Sequence, residues 1–220
     1  MLGGLDRVDW AALEHAYGPA TDVPAMLRAL ASSDTRERHA AIQEAYGNIF
    51  HQGTRYAATP HAIPFLIELA ARPDAGDRAE ILRLLVPCVA GYFGPTVGPS
   101  LIETCELAAE PAVPLALGLL RAEDASLRVT ALHVFAALAR FAARYEVVPK
   151  LRERLSRERD APARAMLAFA FTHLAPKGDG AVAALFRDER DELPRLLAAM
   201  GCARRGEATR AMGAALVAWL

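Results

Sequence analysis

One spacing constrains this chain more than any other feature: proline, then aspartate ten residues on, then arginine four residues after that. It occurs at Pro24, Asp34 and Arg38, again at Pro64, Asp74 and Arg78, and again at Pro114, Asp124 and Arg128. A frame that returns in step implies one local unit built repeatedly, and units of this length bury their apolar faces only against one another. The stretch from Val113 to Leu138 shows what the unit is: two short amphipathic helices joined by a turn. Proline early in the first helix sacrifices an N–H that would have no partner there. Aspartate at the turn caps the second helix and suits its positive end. Arginine one turn later can reach that aspartate or the one in a neighbouring unit.

Two further units follow the same plan less strictly. Val148 and Pro149 open a fourth, with Asp160 and Arg164 at the turn and one extra residue between proline and aspartate. Asp191 and Arg195 mark a fifth that lacks the leading proline. The expected layout is a single domain over 1–220, with an N-terminal cap in 1–20, repeats at 22–50, 60–90, 111–140, 147–174 and 180–203, and a last helix over 206–220. Within the cap, Asp9 to Leu13 predict a short helix that Gly18 ends. Composition agrees with an all-α chain, because the residues are 53% hydrophobic but only 7% aromatic, and alanine and leucine dominate over β-branched runs.

The repeated frame resembles HEAT repeats, and the resemblance covers most of the chain from about Asp22 to Arg195. The segment YGNIFHQGTRYAATPHAIPFLIEL also resembles a stretch of bacterial HEAT-repeat proteins of unassigned function. The resemblance implies a right-handed α-solenoid of about five helical hairpins, acting as a non-enzymatic scaffold that binds a protein or peptide in its concave groove. Two rival activities also follow from it: a DNA-binding or alkylpurine glycosylase-type protein, and a lyase or chaperone-like protein acting on a bound cofactor or modified peptide.

Charge argues against the DNA reading. Lys+Arg 25 against Asp+Glu 26 leaves a net charge of -1, so no global field draws the chain to phosphate, and any such binding needs a local patch. The segment from Arg140 to Arg164 is rich in bases, whereas that from Ser100 to Asp124 is rich in acids. Cys88, Cys105 and Cys202 form no CxxC pair, which predicts buried reduced thiols in a cytoplasmic protein. The charged N-terminus MLGGLDRVDW is unlike a secretory leader. From Leu84 to Ile102 no residue is charged, but prolines and glycines interrupt the stretch and argue against a membrane span.

No HExxH, GxSxG or GxGxxG motif occurs, so neither a metal, a cofactor nor a catalytic residue is expected from sequence. Candidate partner-binding residues come from two places. Second helices of such units line the concave face when the resemblance holds, and equivalent positions are Gln43, Arg83, His133 and Phe169, with Glu80 and Thr130 three residues before Arg83 and His133. The long connection from Gly47 to Ile63 adds His51, Gln52, Arg55 and Tyr56, since long connections in compact folds often carry function. His51 and His61 lack a third metal ligand. The apolar last helix, with Trp219 and Leu220, is expected to be covered by a second copy or by a further repeat.

Overall fold

The computed structural model describes residues 2–91 and 98–219. The chain is mostly helical, and its described residues divide into two compact units, Met1–Leu115 and Ala116–Leu220.

In the first unit, α1 (Val23–Ala29) packs on α2 (Thr35–Asn48), and α3 (Thr59–Ala71) on α4 (Arg78–Ala90). Helix α1 also touches α3, α2 touches α4, and α5 (Pro99–Ala109) rests on α3 and α4. The expected caps hold in part. Pro24 lies in the first turn of α1, and the Asp34 carboxylate accepts from Arg36 N at 2.7 Å. Asp22 stands at the start of α1 without capping it, and Glu37 accepts from the Ser32 hydroxyl. Helix α3 begins at Thr59, so Pro64 falls inside it. Helix α4 begins at Arg78, after Asp77 in a left-handed conformation (φ 54°). Asp74 therefore caps nothing and instead pairs with Arg72 at 2.5 Å.

Two β-hairpins stand where sequence predicts a cap helix and a loop. Strands β1 (Glu14–His15) and β2 (Gly18–Pro19) are antiparallel, as are β3 (Phe50–His51) and β4 (Thr54–Arg55). Asp9 does accept from Ala12 N at 3.3 Å, but only a 3-10 turn over Trp10–Ala12 follows. The Trp10 ring is buried against Phe65, and its Nε1 donates to Leu5 O at 2.8 Å, which turns the chain away from a helical course. In the second hairpin Gln52 and Gly53 both have positive φ, 47° and 86°. That is the turn whose twist matches paired strands, and glycine makes it accessible.

In the second unit, α6 (Ala112–Leu119) enters from the first, followed by α7 (Ala125–Ala137), α8 (Val147–Arg157), α9 (Ala161–Leu174), α10 (Ala181–Asp188), α11 (Glu192–Arg205) and α12 (Arg210–Trp219). Helix α7 packs on α9, α9 on α11, and α11 on both α10 and α12. Asp124 and Asp160 cap α7 and α9, accepting from Ser126 N at 2.8 Å and Ala163 N at 2.9 Å. The α9–α11 contact relies on small side chains. Ala165, Ala168, Ala198 and Ala199 are buried there, and a Cβ on Gly201 would overlap the Thr172 hydroxyl.

Three of the five repeated arginines, Arg38, Arg128 and Arg164, do the same work, whereas Arg78 donates to Ala70 O at 3.0 Å and Arg195 lies over the Phe186 ring. Arg38 donates through Nη1 to Ser32 O and Ser33 O, both at 3.0 Å, at the turn after α1. Its Nε reaches forward to Asp77 at 2.7 Å, ahead of α4. Arg128 repeats this with Ala122 O and Glu123 O behind it and Glu158 ahead at 2.9 Å. Arg164 does so with Glu158 O behind and Glu189 ahead at 2.6 Å. Each guanidinium thus satisfies carbonyls of the turn inside its own hairpin and ties that hairpin to the next. The forward partner is an acid of the neighbouring hairpin in all three, and never the capping aspartate. Glu158 is the most enclosed of these acids, 1% exposed. Burial alone would raise its pKa, but hydrogen bonds from Arg128, from the Asp160 and Arg159 backbone and from Arg154 outweigh that and hold it at about 2.

All three cysteines are free and buried. Burial and the neighbouring Cys105 push the Cys88 thiol far up, and burial pushes Cys105 up to about 11. Among the described residues no helix is long and apolar enough to cross a membrane. The centre of the uncharged Leu84 to Ile102 stretch lies outside the described residues, as does Leu220.

Candidate functional site

The two units carry separate candidate faces. In the first, the long connection is not a free loop. Arg55 is buried and donates through Nε to Cys88 O at 3.0 Å and through Nη2 to Val89 O at 2.5 Å, closing the end of α4. Thr59 accepts from Tyr56 N and donates to Ile49 O, so its hydroxyl joins the two ends of the connection. Arg55 therefore has a structural task, and with 5% of its surface exposed it is not part of an open binding face. Gln52 is exposed at the turn, and His51 stacks edge-on to Tyr17 with ring centroids 5.4 Å apart. Tyr17 is 70% exposed. Desolvation and the nearby Tyr17 raise the Tyr56 pKa above its ordinary value.

Behind this cluster sits His15, 7% exposed, with Nε2 2.7 Å from Asp22 Oδ1. Its Nδ1 accepts from Tyr17 N at 3.0 Å, so Nε2 carries the proton and both ring nitrogens are engaged. Asp22 also accepts from Asn48 Nδ2 at 3.1 Å. An imidazole held this way orients the hairpin and has no nitrogen left for proton transfer to a substrate. Gln43 is exposed on α2, and Arg83 donates to Glu80 at 2.6 Å one turn back on α4.

In the second unit the expected register brings two residues together. His133 of α7 meets Phe169 of α9 edge-on at 5.8 Å, and Phe169 meets His173 one turn further along at 4.4 Å. Thr130 does not join them. It is fully buried, and its hydroxyl donates to Ser126 O at 2.9 Å within its own helix, so the side of α7 that carries it faces the core. Beyond Phe169 lies a slot of about 220 Å³, lined by Phe169, Thr172, His173, Leu197, Met200, Gly201 and Arg204. Met200 is 52% exposed at its edge. The Arg204 guanidinium makes no ion pair with a described residue. Alignment on α7 and α9 misses the α11 side of this slot. The signal for it is the run Leu197, Met200 and Arg204 at helical spacing after Asp191, together with His173 four residues past Phe169.

No protein-family model matches the chain, and no curated protein matches it. Among the described residues, no group of three histidine, cysteine or acidic side chains is placed to hold a metal ion.

Proposed function

We propose that this chain is a helical-repeat binding module of the HEAT type, with its hairpins stacked as an α-solenoid, and that its second unit holds a peptide segment of a partner protein. The observation that carries this reading is the slot beside the His133, Phe169 and His173 rings. It is apolar along Phe169, Leu197 and Met200, and is lined also by Arg204, which is exposed and makes no ion pair with a described residue. An apolar slot of this size accepts one large side chain, and rings with a thioether at the edge are well suited to grip it. Arg204 selects for an acidic residue beside that anchor, because an opposite charge steers approach and fixes register. The recurring Pro, Asp and Arg frame and the Arg38, Arg128 and Arg164 connections support stacked hairpins, since each arginine ties one hairpin to the next.

The test is selection of displayed peptides on the full chain, followed by binding of the enriched peptides to variants. Enrichment of segments with a Phe, Leu or Met next to Asp or Glu is expected. Met200→Asp should abolish their binding and Arg204→Glu should weaken it, with the circular dichroism spectrum and melting temperature preserved. Failure of any peptide to enrich, or equal binding of enriched peptides by Met200→Asp, would overturn the reading.

A further inference from the structure

The base-rich segment that composition singles out has a geometry that the peptide reading does not use. Helix α8 places Lys150, Glu153, Arg154 and Arg157 along one face, at steps of three, four and seven residues from the first. That face meets the end of α6 and the turn after it, where Leu117, Leu120 and Arg121 complete a cleft of about 130 Å³. Four cations and one acid therefore converge on one small concavity with two leucines in its floor.

The commitments of these cations decide what the cleft can bind. Arg157 pairs with Glu153 at 3.2 Å, both side chains well exposed, which cancels one charge loosely. Arg154 pairs with Glu158 at 2.7 Å, but Glu158 is also bonded by Arg128, so two guanidinium groups share one carboxylate. Lys150 donates one of its three N–H groups to Tyr145 O at 2.8 Å. Arg121 is exposed and makes no ion pair with a described residue. The cleft keeps an excess of positive charge even though the whole chain is at -1. Such an excess focused in a concavity raises the local concentration of anions. Its donors, a lysine ammonium and arginine forks, match phosphate oxygens.

We infer that the cleft between α8 and the end of α6 binds a small phosphate monoester bearing an apolar group, the phosphate held by Arg121, Lys150 and Arg154 and the apolar part resting on Leu117 and Leu120. The small volume suits one phosphoryl group with a compact substituent. A nucleic-acid backbone would need an extended basic track, whereas these cations cluster in one place.

Calorimetric titration of the full chain at low ionic strength tests this, with phenyl phosphate as the probe and inorganic phosphate, phenol, inorganic sulfate and a DNA duplex as comparisons. Phenyl phosphate should bind saturably and more tightly than either inorganic phosphate or phenol, because only it uses both the cations and the leucine floor. Affinity should rise between about pH 5 and about pH 7.5, as the second phosphate proton, with pKa about 6, is lost. Added salt should weaken it. Arg121→Gln with Lys150→Gln should lower affinity about tenfold or more while leaving the melting temperature in place, since hydrogen bonds to charged groups contribute on that scale. No saturable binding of phenyl phosphate would overturn the inference. So would unchanged affinity in the double variant, a flat pH response, or tighter binding of the duplex than of phenyl phosphate. Peptide capture by the slot on α9 and α11 is independent of these residues, so each result stands without the other.

Discussion

Replacing Glu158 with glutamine isolates the connection between hairpins in the second unit. Its Oε1 accepts from Arg128 Nη2 at 3.0 Å, Arg159 N at 2.9 Å and Asp160 N at 3.0 Å, while Oε2 accepts from Arg128 Nε and Arg154 Nε, each at 2.9 Å. Every partner is a donor, so whichever way the amide is turned its NH₂ group points at other donors. Two guanidinium groups then lose their carboxylate in a place only 1% exposed. The carboxyl is held at about 2 against an ordinary 4.5, and a displacement of that size corresponds to about 3 kcal/mol of folding free energy at neutral pH. Removing one member of a buried ion pair costs a similar amount, about 3–5 kcal/mol.

Chemical denaturation of wild type and Glu158→Gln at about pH 7 should differ by about 3 kcal/mol, or about 6–12 °C in melting temperature for a chain of this length. The pH dependence provides the sharper check. A folded-state pKa below the unfolded value gives stability that is complete above the unfolded pKa and is lost as pH falls through the folded one. The gap between the two proteins should therefore be constant above about pH 5 and shrink as pH falls from about 4.5 toward 2. A gap under about 1 kcal/mol at neutral pH, typical of an exposed pair, or one that does not change on acidification, would refute the reasoning.

Other perturbations test other parts of the chain. Gly201→Ala should cost about 1–3 kcal/mol, since its methyl overlaps the Thr172 hydroxyl across the α9–α11 contact; a neutral effect in thermal denaturation would place that contact elsewhere. Arg38→Gln should destabilise the first unit by about 3 kcal/mol and speed amide exchange at the α1–α2 turn, because Asp77 and the Ser32 and Ser33 carbonyls lose their shared donor. Arg55→Lys should cost about 1–2 kcal/mol by losing one of two hydrogen bonds to the end of α4, read from the denaturation midpoint. Cys88 and Cys105 should resist thiol reagents in the native state at mildly alkaline pH and react once denaturant is added, as burial disfavours both thiolates; rapid native labelling at either would contradict their enclosure.

Much of the helical framework was legible because its signals are local. Asp34, Asp124 and Asp160 cap helices through their own next few residues, and periodic leucines and alanines mark which side of each helix is buried. The second repeat shows the limit. Asp74 stands in the same frame as Asp34 and Asp124, yet α4 waits until Arg78, because Asp77 is drawn into the forward reach of Arg38 from 39 positions earlier. The expected cap helix fails similarly: Asp9 is a competent cap, but burying Trp10 against Phe65 decides the path.

Binding residues divide along the same line. Register within the repeated frame determined that His133 and Phe169 are equivalent, since each lies nine residues after its turn aspartate, Asp124 or Asp160. It could not determine that Thr130 turns inward, that Arg55 is consumed by the end of α4, or that α11 supplies the far wall of the slot with Leu197, Met200 and Arg204. Those outcomes depend on which helix lies across from which, and on how closely Gly201 lets α11 approach Thr172. Sequence alone thus settled most of the helices and the buried side of those with leucine and alanine stripes, because both are governed by neighbours a turn apart. The partners of each buried arginine and the shape of each cleft waited for the tertiary structure, because they are set by side chains that meet only after the helices have packed.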